Sequence, residues 1–245
     1  MASRNPALSA KSFESLPITL VSEMTIGGTI NKTLILLFLL LITSAWVWYL
    51  FYTTQDINTV ISYVWAGAIG GFIVALVTIF KVSWAPFTAP IYTLLEGLTI
   101  GGISVLMETA FPGIVIQAIG LTFGTLFCLL LAYKTGLIKA TDGFILGVVA
   151  ATGAICLIYL VEIGLLFFFD TSIPFIHDTG WFGIGFSVVV VIIAALNLII
   201  DFEIIRRGVE SGAPKYMEWY GAFALMVTLV WLYMEILILL SKIRR

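Results

Sequence analysis

The sequence predicts an all-α integral membrane protein with seven transmembrane helices in one bundle. Of its 245 residues, 61% are hydrophobic and only 11% are charged, whereas about a quarter of the residues in soluble domains are charged. The mean hydropathy is +1.13. Seven apolar runs each reach the roughly 20 residues that a helix needs to cross a hydrocarbon core of about 30 Å. The lipid bilayer is therefore the expected surroundings of this chain. A nucleic-acid partner is not expected, because the net charge is only -2 and there is no basic block.

The seven apolar runs follow one another with short polar connections. They cover residues 34–53, 58–80, 86–107, 113–133, 143–169, 181–203 and 219–240. Connections such as 111–113 and 211–214 carry turn residues, so we expect neighbouring helices to pack antiparallel. Residues 1–32 precede the first run and are expected to form an N-terminal tail, with residues 33–245 as the membrane domain.

The distribution of Lys and Arg predicts the orientation, because these residues are retained on the cytoplasmic side. With the N-terminus inside, nine of the twelve lie on the cytoplasmic side, and the three outer loops contain none. The N-terminus is therefore expected to be cytoplasmic. The remaining three are Lys242, Arg244 and Arg245, which conflict with seven complete crossings. The last run thus either crosses with its basic tail outside, or enters the membrane and returns.

Glycine pairs four residues apart predict close packing of helices. These pairs are Gly67 and Gly71, Gly97 and Gly101, Gly120 and Gly124, and Gly143 and Gly147. The spacing lets two membrane helices approach closely. We expect contacts within the bundle rather than dimerisation.

Four acidic residues lie inside apolar runs, where a charge is costly and marks a functional candidate. They are Glu96, Glu162, Asp201 and Glu235. Glu96 lies about ten residues into the third run, near 15 Å deep, and is the acid nearest the membrane midplane. Glu162 lies close to the outer surface, where a structural role is expected.

Asp201 and Glu235 are the strongest candidates, because no Lys or Arg lies deep in any apolar run. Each carboxyl must then stay protonated, share a proton with another acid or hold a cation. For Asp201 the alternative is an interfacial salt bridge to Arg206 or Arg207. For Glu235 the alternative is a protonated carboxyl bonded to a neighbouring helix. Asn197, one turn before Asp201, is a further candidate on an ion path, with an interhelical hydrogen bond as its alternative role.

Enzymatic and resident-metal functions are not expected. The sole histidine, His177, lies in an outer loop, and no Ser, His or Cys nucleophile set is recognisable. Cys128 and Cys156 lie in apolar runs without ligand spacing, so neither a zinc site nor a disulfide framework is expected. We therefore expect no enzyme activity and no bound cofactor. A secondary transporter is disfavoured, because no matched half-repeats with interrupted helices are evident.

Several short segments carry a resemblance to a known family. They are Ser3-Arg4-Asn5-Pro6-Ala7-Leu8, Met24-Thr25, Gly28-Thr29-Ile30-Asn31-Lys32-Thr33, Leu95-Glu96-Gly97 and Ala213-Pro214-Lys215-Tyr216-Met217-Glu218-Trp219-Tyr220. Together they resemble the bacterial YccA-like branch of the Bax inhibitor family, nearly from end to end. The segments that finish at Asp201 and Glu235 resemble the acidic motifs of the sixth and seventh spans in the wider family.

The resemblance implies a seven-helix protein of the cell inner membrane with its last helix at the centre. It implies that Asp201 and Glu235 form a proton-sharing pair that gates a pH-sensitive calcium leak. Calcium would then be the transported ion and the two acids its ligands, with Glu96 as a third acid along the path. The alternative that the family implies is a non-enzymatic regulator that restrains a membrane-bound AAA protease, with the N-terminal tail as the contact.

Two features depart from the family pattern. Glu235 stands where Asp is usual, and the separation between the two acids is longer than in the better-studied members. A plain hairpin with its turn near residue 212 would place the acids at depths that differ by roughly 18 Å. They would meet only if residues 214–220 lay flat in the membrane interface.

Overall fold

The computed structural model describes residues 23–245, apart from the side chains of residues 175 and 177. The helices are α1 (Ile26–Thr54), α2 (Ile57–Phe80), α3 (Ala85–Ala110), α4 (Ile114–Lys134), α5 (Asp142–Phe169), the short α6 (Pro174–His177), α7 (Trp181–Glu210) and α8 (Met217–Arg244). All except α6 are long and apolar enough to cross a membrane. The prediction of an all-α protein with seven spans is confirmed. The predicted N-terminal tail falls mainly on residues 1–22, which lie outside the described residues, and α1 begins at Ile26, ahead of the predicted first run.

Side-chain caps and a left-handed glycine explain where several helices begin. The hydroxyl of Thr25 accepts a hydrogen bond from Gly28 N at the start of α1, and Asp56 accepts one from Asn58 N at the start of α2. Each cap satisfies one of the amides that a helix N-terminus leaves free. Gly113 has a φ of 79°, a conformation that glycine adopts without steric cost. It lets the chain reverse direction between α3 and α4.

The last helix, α8, lies at the centre of the bundle. It packs against α1, α3, α4 and α7. In its first turn Glu218 bonds to Thr25, and in its last turn Lys242 bonds to Ile176 of the short helix α6, which lies between α5 and α7. The helix therefore runs from one end of the bundle to the other. A last run that enters and returns is excluded, so the basic C-terminal residues lie at the end opposite to Thr25.

The two ends of the bundle differ in their content of basic residues. We call the end at which α1 and α8 begin the basic end, because it carries Lys32, Lys134, Arg206, Arg207 and Lys215. The opposite end carries the loops 55–56, 111–113 and 170–180 together with the C-terminus. This arrangement agrees with the alternation of loops expected from seven antiparallel crossings.

Two of the four glycine pairs pack as predicted. A Cβ atom at Gly67 would lie 2.5 Å from the carbonyl oxygen of Leu95, and one at Gly101 would lie 2.6 Å from the Cα atom of Ser44. These contacts bring α2 and α1 directly onto α3. The prediction is wrong for the pairs of α4 and α5, since a Cβ atom would meet nothing within 4 Å at any of their four glycines. Those faces turn away from the described helices.

The close contact at Gly101 predicts a position-specific effect of a single methyl group. Gly101→Ala is expected to destabilise the protein by about 1–3 kcal/mol, because the new methyl overlaps the backbone of α1. The measurement is thermal unfolding in detergent micelles. Gly120→Ala is the matched control, since its methyl would enter open space. An equal loss of stability in the two variants would contradict this packing.

Candidate functional site

One face of α8 carries a line of polar side chains through the apolar bundle. Thr228, Glu235 and Lys242 follow one another at seven-residue spacing, which keeps them on nearly the same side of the helix. All three are buried. The neighbouring helix α7 faces them with Asp201 beside Thr228 and with Ser187 beside Lys242. We call these five residues the polar seam.

Asp201 lies at the end of the polar seam nearer the basic end. Its carboxyl interacts with the hydroxyl of Thr228, which also lies 3.3 Å from Ala224 O in its own helix. The Oδ2 atom of Asp201 is buried and has no hydrogen-bond partner among the described residues. Since buried polar atoms are nearly always paired, an unpaired carboxyl oxygen calls for a proton or an ion to satisfy it.

Glu235 lies farther along the polar seam and is well partnered. Its Oε1 atom accepts a hydrogen bond from the Tyr159 hydroxyl at 2.9 Å and another from the Trp231 indole at 3.1 Å. The residue is only 4% exposed. Because Tyr159 belongs to α5, the carboxyl ties α8 to a neighbouring helix. This contact corresponds to the alternative role that the sequence leaves open for Glu235.

The structure does not bring Asp201 and Glu235 together. Asp201 lies level with Thr228, and Glu235 is seven residues beyond Thr228, which is about 10 Å along the helix axis. The expectation of two carboxyls that touch and share a proton therefore needs correction. The reason is that α8 begins at Met217 and rises directly, so Thr228 reaches the depth of Asp201 before Glu235 does.

Arg206 and Arg207 pair with Glu203 and not with Asp201. Arg206 Nη2 lies 2.7 Å from Glu203 Oε1, and Arg207 Nε lies 2.6 Å from the same oxygen. Residues three and four apart share a helix face, whereas Asp201 is five and six positions away. The salt bridge proposed for Asp201 is therefore corrected to Glu203, which also accepts a hydrogen bond from Tyr133 at 2.6 Å.

The other two candidates on the ion path have separate positions. Asn197 Nδ2 donates to Thr152 Oγ1 at 2.8 Å, so this residue links α7 to α5. Glu96 lies at the contact between α2 and α3, where its Oε2 atom would be 3.3 Å from a Cβ atom at Gly71. No contact joins Glu96 to a residue of the polar seam among the described residues, so its place on the same path stays a prediction.

The expected calcium ligands do not form a cluster. Among residues 23–245, no group of three or more His, Cys, Asp or Glu side chains is placed to hold a metal ion. Ca²⁺ takes six to eight oxygen ligands, and Asp201 and Glu235 are about two helical turns apart. A cavity of about 490 Å³ lies elsewhere, on the face of α8 that carries Met226 and Tyr233, and its walls are mostly apolar.

A family model described as Bax inhibitor 1 like matches residues 5–245. The chain belongs to the Bax inhibitor 1 like family. No curated protein and no solved structure matches it significantly. Its family and its seven apolar helices both indicate a multi-pass membrane protein in contact with the lipid bilayer.

A second polar cluster of this Bax inhibitor family member lies at the basic end. Glu218 is 0% exposed. Its Oε1 atom accepts hydrogen bonds from Thr25 N and Thr25 Oγ1, both at 2.9 Å, and lies 3.1 Å from Lys215 Nζ. Its Oε2 atom is bound by Lys32 Nζ. We call Thr25, Lys32, Lys215 and Glu218 the clasp, because they join the start of α1 to the start of α8.

Neighbouring residues make the clasp possible. A Cβ atom at Gly28 would lie 2.1 Å from Glu218 Oε1, so only glycine leaves room for the carboxylate. Lys32 Nζ also lies 5.6 Å from the centre of the Trp219 ring, within the range of a cation–π contact. Nothing in the sequence marks Glu218 for this role. Its contact with Thr25 joins residues 193 positions apart, and helical periodicity carries no signal for such a pairing.

The clasp predicts that loss of one charge is costly. Glu218→Gln would leave Lys32 and Lys215 without their anion, and breaking a buried ion pair costs on the order of 3 kcal/mol. We expect a clear fall in the melting temperature of the purified protein. Glu210→Gln makes the same chemical change at an exposed ion pair with Arg206, where little change is expected. Equal melting temperatures for the two variants would argue against the clasp.

Proposed function

We propose that this protein is a pH-sensitive cation leak of the inner membrane, with calcium as the candidate ion and the polar seam as the path. The observation that carries the proposal is the buried, unpaired Oδ2 atom of Asp201. An acid in that position changes the charge of the seam by one unit when it gains or loses a proton. Protonated, Asp201 is neutral and offers no attraction to a cation. Ionised, it presents a free oxygen ligand of the hard type that Ca²⁺ accepts.

In this proposal, Glu235 acts as a second station on the path rather than as the proton-sharing partner of Asp201. The hydrogen bonds from Tyr159 and Trp231 hold its carboxyl in one place. A cation that leaves Asp201 would meet a second acidic oxygen after about 10 Å. Two acids at separate levels favour stepwise passage, since a conducted ion must bind well enough to enter and weakly enough to leave.

Helix α7 carries the first station, Asp201, and extends past the level of the second, Glu235. Ala194 lies two turns before Asp201 on α7, which brings it to the level of Glu235. Ala194 is fully buried and has a small apolar side chain. Asn197 holds α5 against α7 through Thr152, between the two levels. The stations are thus enclosed by α5, α7 and α8.

The proposal predicts a cation flux that rises with pH and depends on Asp201. In liposomes that hold the purified protein, calcium flux is expected to increase from about pH 6 to about pH 8 as the carboxyl ionises. Asp201→Asn keeps the shape of the neutral acid and should hold the flux near that of empty liposomes at every pH. Glu235→Gln should lower the flux and retain part of the pH dependence.

The control for this measurement is Glu210→Gln. It removes an acid from the same helix, at an exposed position outside the polar seam, and should leave the flux and its pH dependence unchanged. Melting temperatures of all variants establish that each is folded. Flux from folded native protein that Asp201→Asn does not alter would refute the role of Asp201, and absence of flux above empty liposomes would refute the leak itself.

The proposed orientation places the N-terminus in the cytoplasm. Its support is the charge of the basic end, because Lys and Arg are retained on the cytoplasmic side. In this orientation Asp201 lies nearer the cytoplasm, and Lys242 lies near the opposite surface. The acid that changes charge would therefore respond to the pH on the cytoplasmic side.

The second candidate function is a non-enzymatic regulator that binds a membrane-bound AAA protease. Its support is the clasp, which fixes the point at which the N-terminal segment joins the bundle. Met24 N also donates to Ala213 O at 2.7 Å. A partner that binds residues 1–22 would therefore engage the segment that precedes this junction with α8.

A regulator that binds its partner through the tail would lose that partner, but not its flux, when the tail is removed. Deletion of residues 1–22 is expected to abolish co-purification with the protease and to leave calcium flux intact, because the polar seam lies wholly in α7 and α8. Asp201→Asn is the matched control and should retain the partner. Retention of the protease by the truncated protein would exclude the tail as its binding segment.

A further inference from the structure

Lys242 differs from the other basic residues of this protein. Among the lysines and arginines in residues 23–245, it is the only one that is buried, with 7% of its surface exposed. It lies in the last turn of α8, at the end of the polar seam opposite to Asp201. The exposed Arg244 lies two residues on and turns instead to the loop after α3, where it bonds to Phe111 O and Pro112 O.

Three neutral oxygen atoms surround the ammonium group of Lys242. Its Nζ atom donates to Ile176 O at 2.7 Å, to Ser187 Oγ at 2.8 Å and to Gly183 O at 3.1 Å. An ammonium group has three N–H donors, so each donor has a partner. Because all three acceptors are uncharged, they hold the cation without neutralising it. We call Ile176 O, Gly183 O and Ser187 Oγ the oxygen cage.

The oxygen cage is built by close packing of the loop between α5 and α7. A Cβ atom at Gly183 would lie 2.0 Å from Asp178 O, so the first turn of α7 touches the loop backbone directly. Glu162 of α5 accepts a hydrogen bond from Ile173 N at 2.6 Å. The loop is therefore held from two helices. These contacts help to hold the three oxygen atoms in place, in addition to their bonds with the lysine.

The oxygen cage lies at the depth in the bundle at which the polar seam ends. Ser187 lies fourteen residues from Asp201 on α7, which is about 21 Å along the helix. Lys242 lies the same distance from Thr228 on α8, so Ser187 and Lys242 are at the same level. Glu235 lies midway, two turns before Lys242 on the same face of α8. The acids that act electrostatically on the ammonium are Glu235 and Asp178. A cation that reached Glu235 along the seam would next meet a fixed positive charge.

We propose that Lys242 is a tethered cation that closes the end of the polar seam, seated in a site whose chemistry selects a primary ammonium group. The inference rests on the proposed function, in which the polar seam is the cation path. With the side chain shortened, the oxygen cage becomes an empty site for a free primary ammonium ion. Such an ion supplies the three N–H donors that the cage accepts, whereas a quaternary ammonium supplies none.

The first test measures flux through the full-length protein in liposomes. Lys242→Ala is expected to raise the flux of a monovalent cation about tenfold and that of Ca²⁺ on the order of a hundredfold, the changes expected from removing a unit charge some 10 Å from Glu235 at an effective dielectric constant near 20. Methylammonium added on the side of the C-terminus should restore the low flux, and tetramethylammonium should not. Arg244→Ala removes the same charge from the same end and should leave the flux unchanged.

A second variant separates charge from packing. Lys242→Gln keeps a hydrogen-bond donor for the oxygen cage and loses the charge, so its flux should rise as that of Lys242→Ala does. A Gln variant with native flux would overturn the electrostatic closure. Native flux in folded Lys242→Ala would also overturn the electrostatic closure. If that flux still depends on Asp201, the proposed leak itself is unaffected.

The ammonium site has a test that requires no flux. The melting temperature of Lys242→Ala in detergent should rise with methylammonium chloride and should not rise with equal tetramethylammonium chloride, while the native protein responds to neither. Equal responses to the two salts would overturn the site. The melting temperature could rise with methylammonium alone while neither the native protein nor any variant shows flux. That result would support the ammonium site and would refute both the proposed leak and the closing role of Lys242.

Discussion

The polar face of α8 has to be satisfied inside the bundle, and the rest of the structure is arranged around this requirement. In hydrocarbon there is no water to bond a buried hydroxyl, carboxyl or ammonium group. Thr228, Glu235 and Lys242 can therefore be buried only if neighbouring helices bring partners to them. Helix α7 brings Asp201 and Ser187, and α5 brings Tyr159. The central position of α8 follows, because a helix with apolar and polar faces both buried needs neighbours on every side.

The two ends of α8 are held by different chemistry. At the basic end the clasp encloses an anion, Glu218, between two lysines and the start of α1. At the opposite end the oxygen cage encloses a cation, Lys242, with neutral groups only. The anion lies at the start of the helix and the cation in its last turn, where each is favoured by the helix dipole. The charges thus contribute to the orientation of α8 as well as to its anchorage.

The acids of α7 and α8 divide into those with partners and one, Asp201, with an unpaired buried oxygen. Glu203 is bound by two arginines and Glu235 by two ring donors, so these carboxyls are held in fixed positions. Asp201 alone among the seam acids retains an unpaired buried oxygen. Glu235, in contrast, accepts two hydrogen bonds. We therefore assign the change of charge to Asp201 and a fixed position on the path to Glu235.

The sequence by itself determined the class of the protein, the number of its spans and which acids lie inside them. Runs of about 20 apolar residues leave few alternatives to membrane helices, because backbone groups in hydrocarbon must bond within their own segment. Only the tertiary structure decided which acid has which partner. Glu203 rather than Asp201 takes the arginines because of helical spacing, and Thr228 rather than Glu235 meets Asp201 because of where α8 begins. The clasp and the oxygen cage join residues far apart in the chain, and the physical reason that they escaped prediction is that helical periodicity reports which residues share a face but not which helix that face meets.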